Sequence, residues 1–293
     1  MSRRTVAIVI RHDGQLANRM FQLMLALELQ SRVPGAQLLG LDLPEWKLLS
    51  AVPATLPKGA WLVLRRHRFD LDQVAQRLRS GEAQGAIIEG WGMRLGHFGP
   101  PTKYAPLFAT AEPHVALRDN ELLLHVRGGD ILQGHHRKYF PLPFSWFDHL
   151  IDSTGLQPVF IGEIGADAYS EALRQRYRGA RFLAPATALA DFQTLRHAPH
   201  VGLSISSFCW MATWLSTAAQ CIHLPVAGLF DRNNRETDLL PLLDPRYRYY
   251  RLPFLSASER SGVDLVGWAE SAAAPQRVDA AEAGKVRASG AVA

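Results

Sequence analysis

Apolar runs of strand length alternate with amphipathic stretches through most of this chain. Residues 5–10 form the first run, rich in valine and isoleucine, and apolar positions recur at helical spacing over residues 18–31. Further strands are expected at 38–41, 61–64 and 86–89, with a helix over 71–79. After a polar, proline-containing connection around 99–120 the alternation restarts and becomes more regular. Strands are expected there at 122–126, 158–161, 180–183, 200–205 and 221–224, and helices at 144–152, 168–177, 189–197 and 208–217. Such alternation is the pattern of α/β layers around a largely parallel sheet. From residue 256 the apolar periodicity is lost, and from Ala274 the composition reads as a disordered tail. The expected organisation is an α/β domain over 1–118, a second Rossmann-like α/β domain over 119–255 and a partly disordered tail over 256–293.

The chain has 293 residues, room for two such domains, and no stretch approaches the ~18 uninterrupted apolar residues of a membrane span. The start, Met1-Ser2-Arg3-Arg4, is basic, but the apolar run from Val6 to Ile10 is too short for a signal-peptide core, so a cytoplasmic location is expected. With only Cys209 and Cys221, neither a disulfide framework nor C-x-x-C metal spacing is available. The net charge of +5 favours anionic ligands without naming one. Its densest run, Arg65-Arg66-His67-Arg68, lacks the spaced aromatics of a single-strand nucleic-acid surface and reads as a solvated edge or a lipid-facing patch. Nucleic acid is not an expected partner.

Four separated blocks carry candidate chemistry: Gly14-Gln15-Leu16-Ala17-Asn18-Arg19-Met20-Phe21-Gln22, Glu89-Gly90-Trp91, His125-Val126-Arg127-Gly128-Gly129-Asp130 and Ser206-Ser207-Phe208-Cys209-Trp210. Arg127 stands where an expected strand ends, the place from which α/β folds present ligand contacts. Its guanidinium can take two phosphate oxygens at once, and Gly128 and Gly129 let backbone N–H groups approach an anion. Asp130 is placed to brace Arg127, and His125 points either into the sheet or toward the ligand. Ser204, Ser206 and Ser207 lie between a strand and a helix, where hydroxyls serve either phosphate binding or helix capping. Asn18 has the same two readings at the start of the first helix. Trp91 is either a sugar-stacking face or a core residue, and Trp210 and Trp214 are expected to pack their helix on the sheet. Asp70-Leu71-Asp72 matches D-x-D but precedes a helix and reads as a cap. Gly90-Trp91-Gly92 misses the dinucleotide spacing, and His135-His136 lacks the spacing of a helical zinc pair. No metal site is expected.

In this order the blocks resemble the α1,2-fucosyltransferase family, whose motifs read approximately GGLGNQMFQ, a glycine-aromatic segment, HxRRGD and NSTFSWW. The resemblance spans roughly residues 8–225. It implies a GT-B fold, two Rossmann-like units facing across a cleft, and an inverting, metal-independent transferase that moves fucose from GDP-fucose to a saccharide acceptor in surface polysaccharide or glycan synthesis. It implies catalytic roles for Arg127, Asn18 and Asp13, and donor contacts from Gly14, His125, Arg127, Gly129, Asp130, Glu163, Ser204, Ser206, Ser207 and Phe208. The second unit would hold the donor and the first the acceptor, with peripheral contact at the inner membrane where that acceptor is lipid-linked. No cofactor is implied.

Several positions depart from the family pattern. Asp13 and Gln15 replace glycines, Gly128 replaces the second arginine, Ile205 replaces the asparagine, and Glu163 alone stands for an acidic pair. These departures keep open a different nucleotide-sugar donor, or a saccharide-binding protein without transferase activity. Four residues qualify as general base: His12, Asp13, Asp130 and Glu163.

Overall fold

The computed structural model describes residues 5–52, 55–56, 58–133, 139–253 and 264–285. The chain divides into two compact units, Met1–Thr110 with Glu236–Leu239 and Ala111–Arg235 with Leu240–Ala293. The division falls before residue 111 rather than after 118 because the intervening segment pairs with the second unit. Val115 N–H donates to Thr194 Oγ1 (3.1 Å), and the His114 ring stacks on His197 at 4.3 Å.

The first unit contains strands β1 (Ala7–Ile10), β2 (Gln37–Leu39), β5 (Trp61–Leu64) and β6 (Gly85–Ile88) in a parallel sheet of order β2-β1-β6-β5. Strands β3 (Asp42–Leu43) and β4 (Leu48–Leu49) form a separate antiparallel pair. Helix α1 (Leu16–Arg32) buries Met20, Phe21, Met24, Leu25 and Leu29, the positions its helical spacing selected. Helix α2 (Leu71–Arg79) is capped by Asp70, whose Oδ1 accepts from the N–H groups of Asp72 and Gln73, both at 3.0 Å. Helix α3 (Pro101–Tyr104) follows β6. Segment 236–239 returns to this unit, where Leu95 N–H donates to Asp238 O (2.8 Å) and Asp238 N–H to Met93 O (2.9 Å).

A polar knot ties α1 to α3. Glu28 is buried and accepts from Lys103, Tyr104 and Arg32, the last at 2.8 Å. Burial raises its pKa, but the three donors outweigh that and hold the carboxyl at about 2, against an ordinary value of 4.5. A depressed carboxyl stabilises the fold fully above its unfolded pKa and ceases to as pH falls through the folded one. The knot should therefore lose its contribution between about pH 4.5 and 2. Unfolding of Glu28→Gln, followed by urea titration from pH 7 to pH 3, is expected to show a lower stability at pH 7 and a shallower acid slope than the wild type; parallel slopes would contradict it.

The second unit is built on one seven-stranded sheet. Strands β7 (Glu121–Val126), β8 (Gln157–Gly162), β9 (Arg181–Phe182), β10 (His200–Gly202), β11 (Cys221–Val226), β12 (Tyr247–Arg251) and β13 (Gln276–Val278) run in the order β13-β12-β11-β10-β7-β8-β9. The pairs are parallel except β12 with β13. Helices α4 (Phe144–Thr154), α5 (Ala168–Arg176), α6 (Ala188–His197) and α7 (Ser207–Trp214) connect successive strands. The six parallel strands follow the doubly wound Rossmann order, with its reversal between β7 and β10. The core is aromatic: Trp146, Phe147, Phe160, Phe192 and Trp210 are wholly buried, and Trp210 stacks on Trp214 at 5.3 Å.

The C-terminal stretch corrects the sequence expectation. Helix α8 (Leu265–Ser271) precedes Ala274, and the residues from Ala274 do not all form a disordered tail, since β13 and helix α9 (Ala280–Ala283) are formed there. Strand β13 pairs with β12, and Arg251 on β12 makes an ion pair with Glu282 on α9. The expected tail from 286 onward lies outside the described residues, as does His135-His136. No described helix is long and apolar enough to cross a membrane.

Candidate functional site

In doubly wound sheets the strand-order reversal opens a crevice beyond the strands' carboxyl ends. In the second unit the residues that follow β7, β8 and β10 converge there. Arg127 leaves the end of β7 and its side chain is 19% exposed. Its Nη2 donates to Asp130 Oδ1 at 3.0 Å and Oδ2 at 3.3 Å, so Asp130 braces the guanidinium as the sequence suggested. The Tyr139 ring lies 5.6 Å from the guanidinium carbon and its hydroxyl hydrogen-bonds Ser207. Glu163, just past β8, approaches Arg127 Nε to 3.8 Å, a charge contact too long for a hydrogen bond. That Nε is buried and has no hydrogen-bond partner among the described residues.

Gly128 is shaped by its neighbour. A Cβ at 128 would lie 2.4 Å from the Glu163 carbonyl oxygen, so the loops after β7 and β8 touch backbone to backbone. Gly129 opens the 3-10 segment Gly129–Gln133 that carries Asp130. Burial raises the Glu163 pKa, Arg127 opposes this and Asp130 adds to it, and the carboxyl ends above its ordinary value.

His125 is the penultimate residue of β7. It is buried, its Nδ1 lies 2.7 Å from Ser204 Oγ, and burial followed by the Arg127 charge lowers its pKa to about 3. A neutral imidazole thus holds Ser204 in place. Ser206 caps α7, its Oγ accepting from Phe208 N–H at 3.2 Å, while Ser207 begins the helix. Capping therefore accounts for Ser206, and the positive end of the α7 dipole points to the same strand ends as Arg127. Phe208 packs against Phe192 (5.7 Å) and, at 6.1 Å, His125. Ile205 is buried. Both cysteines are free, and burial pushes the Cys209 thiol up to about 11.

The three remaining sequence candidates sit in the first unit, after β1. Asn18 is not the helix cap. Gln15 holds that position without a side-chain bond, and Asn18 lies inside the first turn. Its amide packs against Gly14, where a Cβ would fall 2.3 Å from Asn18 Nδ2. Asp13 is exposed, but its backbone is pinned. Its N–H donates to Gln22 Oε1 (3.3 Å) and its carbonyl accepts from Trp91 Nε1 (3.1 Å). Gln22 is wholly buried and also donates to Arg11 O (3.0 Å), tying the loop down. Two base candidates are engaged elsewhere. His12 Nε2 accepts from Asp42 N–H (2.9 Å), and Asp130 holds Arg127, which leaves Asp13 and Glu163.

Tyr139 and Gln22 join these sites without having been selected from sequence. Gln22 stands in a recognised block, and its buried position on α1 was the available signal; Tyr139 had none. No protein-family model matches this chain, and no curated protein matches it either.

Proposed function

We propose that the protein is an inverting, metal-independent glycosyltransferase of the α1,2-fucosyltransferase type and GT-B class, transferring fucose from GDP-fucose to a saccharide acceptor in surface polysaccharide or glycan synthesis. The observation that carries the reading is the buried Arg127 Nε, which has no hydrogen-bond partner among the described residues, at the strand-order reversal of a Rossmann-ordered sheet. An oxygen of a departing diphosphate would satisfy that donor, and the α7 N-terminus adds positive potential on the same side. In the transfer the acceptor hydroxyl oxygen bonds to the anomeric carbon as the carbon–phosphate oxygen bond breaks. The hydroxyl proton passes to a carboxylate, for which Asp13 and Glu163 are the candidates, and GDP leaves with the bonding pair. The raised pKa of Glu163 suits it to accepting a proton. The acceptor belongs to the first unit in this reading, and the enzyme works in the cytoplasm, at the inner membrane when the acceptor is lipid-linked.

A second reading keeps the chemistry and changes the donor. Gly128 favours it, because the Glu163 carbonyl occupies the place of a second arginine side chain. Thermal-shift titration with GDP, UDP, GDP-fucose and GDP-mannose, with and without EDTA, separates the two. GDP and GDP-fucose are expected to stabilise the protein by about 2.7 kcal/mol at 100 times Kd, with EDTA having no effect. Stabilisation by UDP alone would select the second reading, and none by any nucleotide would leave the saccharide-binding alternative.

A further inference from the structure

In the first unit the parallel order β2-β1-β6-β5 sets the carboxyl ends of β1, β6 and β5 side by side. Register sets Ile10 level with Ile88, and Ile88 level with Leu64. The next residues, Arg11, Glu89 and Arg65, therefore emerge side by side. Glu89 Oε1 accepts from Arg11 Nη1 (2.9 Å) and Oε2 from Arg65 Nε (2.8 Å). One carboxylate thus spaces two guanidiniums, each with five N–H donors, and these side chains are 58% and 71% exposed.

The basic loop that follows β5 is fixed rather than loose. Arg66 adopts φ +62°, uncommon for a residue with a side chain, and its carbonyl accepts from Gly92 N–H at 3.1 Å. Gly90 packs against it so closely that a Cβ would lie 2.2 Å from Arg66 O and 2.4 Å from Arg66 N. Exposed Arg66 and Arg68 add to Arg11 and Arg65, against Glu89, Asp13 and Asp70. The run 65–68, expected as a solvated edge or lipid-facing patch, therefore borders the carboxyl edge of the sheet. Trp91, half-buried and held by its bond to Asp13 O, presents a ring beside it, 5.8 Å from His67.

We propose that the carboxyl edge of the first unit is a binding site for a phosphate-ester anion, clamped by Arg11, Arg65 and Arg66, with Trp91 against the group that carries it. Planar, bidentate donors held at fixed spacing suit phosphate oxygens. Resting on the reading that the first unit takes the acceptor, this makes the acceptor a phosphorylated saccharide, either soluble or as a lipid headgroup.

Inorganic pyrophosphate and vesicles of phosphatidylglycerol in phosphatidylcholine are the two probes. Both are applied to the full chain carrying Arg127→Ala, so that the second unit's cation does not contribute. That protein is expected to bind pyrophosphate saturably in calorimetry. Adding Arg65→Gln and Arg66→Ala should weaken binding roughly tenfold or more, while Arg66→Lys keeps most of it. Pyrophosphate binding lost in the double replacement supports a soluble phosphate ester, and vesicle co-sedimentation lost in it supports a lipid headgroup. The proposal is overturned if neither probe binds, or if the double replacement binds both as before with an unchanged melting temperature. GDP affinity of the wild type is read alongside: its absence with pyrophosphate binding intact would remove the donor reading and leave this site standing.

Discussion

Arg127→Ala is expected to weaken GDP binding about 100-fold and to slow sugar transfer by about 10² to 10³ while the protein remains folded. Two charge-assisted hydrogen bonds to a diphosphate are each worth about 1.5–3 kcal/mol, and about 3 kcal/mol is already a factor of ~10². The remaining site also changes sign. Asp130 and Glu163 lose their shared cation and face the incoming anion together. Their side chains are 44% and 48% exposed, so water takes over their solvation and the fold does not depend on the pair. Arg127→Lys keeps the charge without the planar fork and should fall between. Asp130→Asn removes a competing anion and should leave GDP affinity unchanged or tighter. Calorimetric titration of the three variants, with melting temperatures as a folding control, checks the series. Wild-type GDP affinity in Arg127→Ala would sink the donor-site assignment.

Placing an arginine at position 128, as in the motif that the block resembles, by Gly128→Arg is expected to damage the protein rather than improve it. The new Cβ would start 2.4 Å from the Glu163 carbonyl oxygen, a backbone atom that cannot swing aside. Glu163 is itself held by its N–H bond to Val126 O at 3.0 Å, so relief requires the β7 and β8 loops to part. Overpacking of this kind costs about 1–3 kcal/mol, and each kcal/mol lowers Tm by about 2–4 °C in a chain of this size class. A fall of several degrees with weaker GDP binding is expected, and Gly128→Ala should show a milder form of both. An unchanged Tm with tighter GDP binding would mean that the position has room for a second cation.

The parallel α/β character was legible because buried strands such as β7 and β11 are apolar runs flanked by periodic helices. Strand β12, Tyr-Arg-Tyr-Tyr-Arg, escaped because its aromatic and arginine positions carry no such run, and its identity is conferred by pairing with β11. Strand β13 and helix α9 are short and alanine- or charge-rich, and only their docking on β12 makes them ordered structure. At the site, Arg127 and Asp130 were readable from local spacing. The role of Gly128 was not, since the Glu163 carbonyl that excludes a side chain is 35 residues away, from 128 to 163. Asn18 reads as a cap by residue type, yet the helix begins three residues earlier with Gln15 as its cap. The basic run after β5 looked like an edge because its dense charge reads as solvated surface, and the register that sets Arg65 beside Glu89 and Arg11 is made between strands far apart in sequence.

The return of segment 236–239 to the first unit bears on how the protein is made. Domains generally fold as they leave the ribosome, N-terminal first. Here the backbone groups of Met93 and Leu95 await Asp238, and Arg94 awaits the carbonyl of Glu236, a partner 142 residues further along. The first unit therefore reaches its final hydrogen bonding only after strands β7 to β11 of the second have been synthesised. Translation order and folding order part company in this chain: what is made first is finished late.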